Sequence, residues 1–339
     1  MTARELLSSL NKKGISVWAE NGNLRFRGPK SAITSEIRSK LALAKSEILE
    51  LLKVQEKEFP IIQHQSEDAE KPFPLTDLQG AYYVGRSEVY AHGGTSCHGY
   101  FELELPKLDV IRLTHCWNKL VKRHSMLRAV FLPNATQKIL TDVPYYEIKE
   151  HDISILNKID KKEKLQIIRD KMSHQHFDAE KWPLFDIEVS KDELHSILHV
   201  SIDLLIADYL SINILMKELG ILYDDDNVIL KQLEIDFHDI VIAENKINKH
   251  KNWERDRIYW KSRFDSFPDA PLLPIINKEE QQSRFVRRHI VLDAAKKESI
   301  SRYAIKRSMN IGGALLAAYA DIIGRWSTSS RFALNLTVL

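Results

Sequence analysis

Residues 3 to 12, ARELLSSLNK, set Leu6, Leu7 and Leu10 at helical spacing, and Gly14 closes the pattern, which predicts a short helix. Ile15, Val17 and the run Leu24-Arg-Phe-Arg27 then flank Glu20-Asn21-Gly22-Asn23. Asn-Gly between alternating apolar runs predicts a β-hairpin, because both residues tolerate positive φ. After Gly28-Pro29, residues 31 to 37 and then 38 to 53 read as helices, with Ile37, Leu41, Ala44, Ile48, Leu51 and Leu52 repeating at 3.6-type spacing. Residues 1 to 53 are therefore expected to form an α-β-β-α-α module. From Val54 to Lys71 the periodicity fades and polar residues dominate, as in a linker.

Beyond residue 72 the pattern alternates between two periods. Gly99 to Leu105, Phe185 to Val189 and Leu194 to Ile202 read as strands, and Val110 to Lys122, Lys161 to Gln175 and Tyr209 to Tyr223 as helices, which predicts a mixed α/β lobe. Trp253, Tyr259 and Trp260, on a helix, read as packing residues. The last stretch, Arg331 to Leu339, alternates like a strand with no turn residue after it, so the sequence is expected to stop inside a domain.

Composition narrows the classes. The 339 residues are 44% hydrophobic and 28% charged, a globular composition long enough for two or three domains. The formal charge of +2 suggests neither a nucleic-acid partner nor a membrane surface. No run approaches a membrane span and the N-terminus lacks a secretion-signal core, so a cytoplasmic location is expected. Cys97 and Cys116 stand alone and read as reduced thiols. His174 with His176, and His195 with His199, have no carboxylate or cysteine at ligand spacing, so no metal is expected. Gly93-Gly94-Thr95 lacks the lysine and helix start of a phosphate loop.

Two features invite a chemical reading. Around the hairpin, Lys12, Lys13, Arg25, Arg27 and Lys30 form either a solvated basic face or a site for an acidic tail, and an unpaired hairpin edge can accept a partner strand. At the junction HVSIDLLIADYLS, Asp203 ends a strand and Asp208 precedes a helix. Asp208 is placed to cap that helix, and Asp203 to need a cation, with Arg128 and Arg331 as the candidates. Capping and pairing lower a carboxylate's pKa, which favours a structural role for both over that of a general acid or base.

Residues 1 to 53 resemble the N-terminal docking domains of the tubulysin-synthetase type, which capture the C-terminal tail of an upstream nonribosomal peptide synthetase subunit. The resemblance implies docking through Arg25, Arg27 and Lys30. The run Phe73 to Arg86, FPLTDLQGAYYVGR, resembles the opening motif of the heterocyclization domains of those synthetases. The likeness continues through Arg123-His-Ser-Met-Leu-Arg128, through the D-x4-D-x2-S signature at Asp203, Asp208 and Ser211, through Phe267 to Pro274, and through Ile311 to Thr337. After RHSMLRAVF the family continues toward a Gly-Gln pair, of which only Gln137 is kept.

The resemblance implies two chloramphenicol-acetyltransferase-like lobes around a tunnel, with residues 72 to 250 as the first lobe and 251 to 339 as the start of the second. It implies condensation of an upstream acyl thioester with a carrier-bound Cys, Ser or Thr, followed by cyclodehydration to a thiazoline or oxazoline. The partners are then upstream and downstream peptidyl carrier domains bearing 4'-phosphopantetheine, and no cofactor is bound directly. Asp203, Asp208, Ser211, Arg128 and Arg331 are expected at the tunnel in structural roles. The main catalytic candidates are expected after Leu339, and this chain alone is expected to be inactive. The sister condensation domains carry His-His-x-x-x-Asp-Gly here. Aligning its aspartate with Asp208 sets Leu204 opposite the base-like second histidine, which argues against plain condensation chemistry. A plain condensation domain and a non-catalytic docking fragment remain the alternatives.

Overall fold

The computed structural model describes residues 3–12, 14–20, 23–29, 33–58, 62, 64, 71–87, 94–247, 251–274 and 290–336. They fall into two compact units, Met1–Ala69 with Gln232–Trp253, and Glu70–Lys231 with Glu254–Leu339.

In the first unit, helix α1 (Ala3–Lys12) is followed by strands β1 (Ser16–Glu20) and β2 (Asn23–Arg27), then by α2 (Ser35–Leu43) and α3 (Lys45–Glu58). Gly14 has φ 70°, and the Ile15 N–H donates to the Leu10 carbonyl at 2.9 Å, a stop that favours glycine. Ala3, Leu6, Leu10, Ile15, Ile37, Leu41 and Ile48 form the core, against which Val17, Leu24 and Phe26 of the hairpin pack. Alternation then turns Arg25 and Arg27 outward, with Trp18 opposite Arg25 in the register. The strands pair only with each other among the described residues. Asn21, Gly22 and Lys30 lie outside them.

The Thr34 hydroxyl caps α2 by accepting from the Ile37 N–H at 3.3 Å, so residue 37 lies in the first turn of that helix, and the break between the last two helices of the module falls at Ala44. Helix α3 also runs to Glu58, into the segment read as linker.

The second unit is built on a four-stranded sheet in the order β4-β9-β8-β7. Between the short strand β3 (Phe73–Pro74) and β4 (His98–Pro106) lies α4 (Asp77–Gly85). Helix α5 (Val110–Arg123) buries Val110, Leu113, Cys116, Trp117, Leu120 and Val121, a helical stripe. Strands β5 (Ala129–Leu132) and β6 (Thr136–Ile139) pair beside β3 in a three-stranded sheet. Ala135 takes a left-handed φ of 57° in their connection, the turn that departs from the family pattern.

Then follow β7 (Lys149–Asp152), α6 (Lys158–Ser173), β8 (Phe185–Lys191), β9 (His195–Asp203) and α7 (Tyr209–Asp224). β9 runs antiparallel to both β4 and β8, so both its edges are paired, and Leu198 to Asp203 are buried on both faces, which fits its nearly unbroken apolar and small residues. Trp117, Tyr146, Trp182 and Phe185 fill the core edge to face, with ring centroids 4.9 to 6.3 Å apart.

Helix α8 (Phe237–Ile247) belongs to the first unit, and α9 (Lys251–Phe264), α10 (Ala294–Lys306) and α11 (Ile311–Trp326) follow. Two expectations fail in this last part. Tyr259 and Trp260 are 49% and 60% exposed, and Trp253 is 41% exposed, so they are not packing residues here. Periodicity states which side chains share a face, not whether another element covers it. The stretch Arg331 to Leu336 forms no strand, since alternation supplies no pairing partner; its Ala333 N–H donates to the Asp269 carbonyl. Residues 337 to 339 lie outside the described ones. No helix among the described residues is long and apolar enough to cross a membrane.

Candidate functional site: the turn between β9 and α7

Asp203 closes β9 opposite His98 of β4, and its carboxylate is fully buried. The chain then leaves the sheet in a tight turn. The Leu205 N–H donates to Asp203 Oδ1 at 2.9 Å, the Ile206 N–H to the Asp203 carbonyl at 3.1 Å, and the Leu204 N–H to the Cys97 carbonyl at 2.9 Å. Asp208 follows as the N-cap of α7, accepting from the Ser211 N–H at 2.7 Å and from its hydroxyl at 2.6 Å. The D-x4-D-x2-S signature is thus one turn and one helix cap.

The cation on Asp203 is Arg86, and this corrects the expected pairing with Arg128 or Arg331. Arg86 caps the C-terminal end of α4, and its guanidinium bonds Asp203 Oδ2 and, at 2.9 Å, the Phe177 carbonyl. Arg128 instead donates to the Val121, Lys122 and Leu140 carbonyls, where a cation meets the negative end of α5. Arg331 is exposed and donates to the Ser266 carbonyl at 2.9 Å.

The two carboxylates differ in electrostatics. The Ser211 hydroxyl and backbone N–H hold Asp208 below the usual carboxylate range, as expected. Burial pushes Asp203 up, and the Arg86 charge offsets only part of that. The expectation that pairing lowers both is therefore wrong for Asp203, because desolvation outweighs the ion pair. Burial likewise raises the neighbouring Cys97 thiol, which keeps it a poor nucleophile.

Two further residues grip the turn. Gln79 Nε2 donates to the Leu205 carbonyl at 2.8 Å and to Gln137 Oε1 at 3.0 Å, while Gln137 Nε2 returns a bond to Gln79 Oε1 at 2.9 Å and reaches the Pro74 carbonyl. Arg86 and Gln79 both lie in the opening motif, so their position there was the available signal.

Behind the sheet, the buried His199 has both ring nitrogens engaged, Nδ1 by the Tyr100 hydroxyl at 3.0 Å and Nε2 by Ser190 Oγ at 2.9 Å. Tyr100 in turn donates to Glu102 at 2.6 Å, so the His199 Nδ1 carries the proton and Nε2 accepts from Ser190. Burial lowers the His199 pKa and keeps this ring neutral. In the first unit, His64, Asp236 and Asp239 bring potential metal-ligating atoms together. The two carboxylates already cap α8 reciprocally, at 3.0 and 3.1 Å, and His64 Nδ1 lies 2.9 Å from Asp239.

Residues 69 to 338 match the family described as Condensation domain, and residues 4 to 53 match the TubC N-terminal docking domain. Pyochelin synthetase PchF of Pseudomonas aeruginosa is 33% identical over the whole chain, which spans 19% of its length. Phenyloxazoline synthase MbtB of Mycobacterium tuberculosis is 32% identical over 78% of the chain and 19% of its own length. The chain thus spans about a fifth of these relatives. The EpoB cyclization-docking bidomain from Sorangium cellulosum superimposes with a TM-score of 0.78 at 32% identity, over 97% of this chain and 66% of that one. The chain belongs to the condensation-domain family and carries a TubC-type docking domain at its N-terminus.

Proposed function

We propose that the chain is the docking and heterocyclization portion of a nonribosomal peptide synthetase. The amine of a Cys, Ser or Thr held on a downstream carrier attacks the upstream acyl thioester, giving an amide and freeing the upstream carrier thiol. The side-chain thiol or hydroxyl then attacks the new amide carbonyl, and loss of that oxygen as water leaves a thiazoline or oxazoline. Both carriers present their substrates on 4'-phosphopantetheine.

The observation that carries this reading is the turn from Asp203 to Asp208. Leucine 204 stands where a condensation domain holds a histidine base, and a hydrocarbon side chain cannot move a proton. Asp203 is committed to Arg86 and Asp208 to a helix cap. The site's contribution is then to shape a chamber that holds amine, thioester and nucleophile in attack geometry, worth several kcal/mol of barrier. The relatives named for pyochelin and phenyloxazoline synthesis and for cyclization support the ring-forming variant over plain condensation.

The exposed hairpin face with Arg25 and Arg27 supports capture of an acidic C-terminal tail of an upstream subunit by strand addition. Lys30, from the sequence pattern alone, is proposed to contribute to the same docking contact. The free thiols of Cys97 and Cys116 fit a reducing cytoplasm. This chain by itself is proposed to be inactive, a reading supported by the exposure of Tyr319, Ile322 and Trp326 on α11, at 56%, 52% and 65%.

Intact-protein mass spectrometry tests the reaction. A synthetase containing this chain, supplied with acyl-loaded and cysteinyl-, seryl- or threonyl-loaded carriers, should give a condensed product and then its counterpart lighter by one water. Condensed product that never loses water would replace the proposal with plain condensation.

A further inference from the structure

Helix α4 turns a polar face inward. Gln79, Tyr83 and Arg86 stand at i, i+4 and i+7, one face of a helix. That face turns inward: Gln79 reaches the Leu205 carbonyl at 2.8 Å, Tyr83 the Leu132 carbonyl at 3.2 Å, and Arg86 the Phe177 carbonyl and Asp203. Leu78 and Val84 are 59% and 49% exposed. These two apolar side chains stand six positions apart, on different flanks of the helix, and form no stripe that packing could turn inward, whereas the polar stripe is bonded at three points. Hydrogen bonds set its orientation.

Gln79 is 5% exposed and Gln137 is fully buried. Gln79 Oε1 accepts from the Thr76 N–H at 3.0 Å and from Gln137, and its amide donates to Gln137 and Leu205. All four of its hydrogen-bonding positions are therefore filled, so the amide has one orientation. Thr76 and Gln79 form a capping box, which fixes the N-terminal end of α4 to the same amide.

Resting on the function proposed above, we infer that Gln79 is a positioning residue for the site. α4 clamps the turn from Asp203 to Asp208 at two points, with Arg86 on the carboxylate and Gln79 on the Leu205 carbonyl two residues further on. Gln137 holds the Gln79 amide in the orientation that makes the second point. Without the Gln79 donor, α4 holds the turn through Arg86 alone, and the turn opens locally.

Hydrogen exchange in this chain separates positioning from general stability. Gln79→Met and Gln137→Met both break the reciprocal amide pair, but only Gln79→Met removes the donor to Leu205. Loss of one buried hydrogen bond should speed exchange across residues 203 to 206 about fivefold in Gln79→Met, and less than about twofold in Gln137→Met at equal loss of melting temperature. Equal exchange in the two variants would overturn the inference.

If Gln79→Met does not fold, Gln79→Glu keeps the shape. Its protonated carboxyl can donate to the Leu205 carbonyl and its ionised form cannot, so excess exchange over the parent chain should grow between about pH 5 and about pH 8. An excess independent of pH would sink the idea. Neither readout needs turnover, so a failure to form rings would count against the proposed function and leave this inference standing.

Discussion

At the scale of single residues, the central contact is the buried pair of Asp203 and Arg86, whose side chains are 0% and 8% exposed. Removing one partner of such a pair leaves a charge in a dry interior. We expect Asp203→Asn to cost about 3 kcal/mol in urea unfolding, the low end of the range because the amide still accepts a hydrogen bond. Asp208 is exposed and acts as a cap, a role asparagine fills equally well. Asp208→Asn should therefore change stability by less than about 0.5 kcal/mol and Asp208→Ala lower it by about 1 kcal/mol. Equal losses for the two asparagine variants would contradict the division of roles.

The cap at Asp208 was legible from its place before an apolar helical run. The partner of Asp203 was not, because ion pairing across 117 residues of sequence depends on how α4 and β9 are brought together.

At the scale of elements, α6 is stapled to the sheet by charges. Arg169 forms a two-point pair with Glu102 at 2.7 Å, and Lys171 meets Glu188 at 2.6 Å, with His151 on the other Glu188 oxygen. Burial raises both carboxyls, but for Glu102 the Arg169 and Tyr100 bonds, and for Glu188 the Lys171 and His151 bonds, outweigh it and hold them below the usual range. A depressed folded pKa means that the unfolded chain binds the proton more tightly. The stabilisation is present above about pH 4.3, the ordinary glutamate value, and is lost as pH falls through the depressed values. Asp203, raised by burial, acts in the opposite sense, its share being lost as pH rises.

The melting temperature should accordingly fall below about pH 4, and Glu188→Gln should flatten that fall. An unchanged acid limb would show that Glu188 is not part of it. The hairpin gives the other element-scale prediction. Arg25→Glu with Arg27→Glu should weaken binding of an acidic tail peptide at least about tenfold, and salt should weaken the parent interaction. Calorimetry showing unchanged affinity would remove the electrostatic part of docking.

α4 shows where pattern reading stops at this scale. Its motif marked it as special, yet the inward turn of its polar face has no signature in hydrophobic periodicity, which follows only where apolar positions recur.

For the whole molecule, the three longest strands of the second unit and the helices α5, α6 and α7 were readable from their periods, and β9 and α7 lie within two residues of their expected bounds. Strand order, the parallel pairing of β7 with β8 and the bare faces of α9 to α11 were not, because each depends on neighbours distant in sequence. The same limit applies to the site. Its residues were nameable, and its wiring was not.

The raised pKa of Asp203 is what makes its role worth measuring, since an elevated carboxyl is better suited to accept a proton than a depressed one. The direct measurement is mass spectrometry of condensation and ring closure, together with melting temperature, for Asp203→Asn in a synthetase containing this chain. If the turn only shapes the chamber, the melting temperature falls and both steps slow together, because both use that chamber. An unchanged melting temperature with loss of ring closure alone, and of its pH dependence, would make Asp203 a proton-transfer group and rule out a purely structural role.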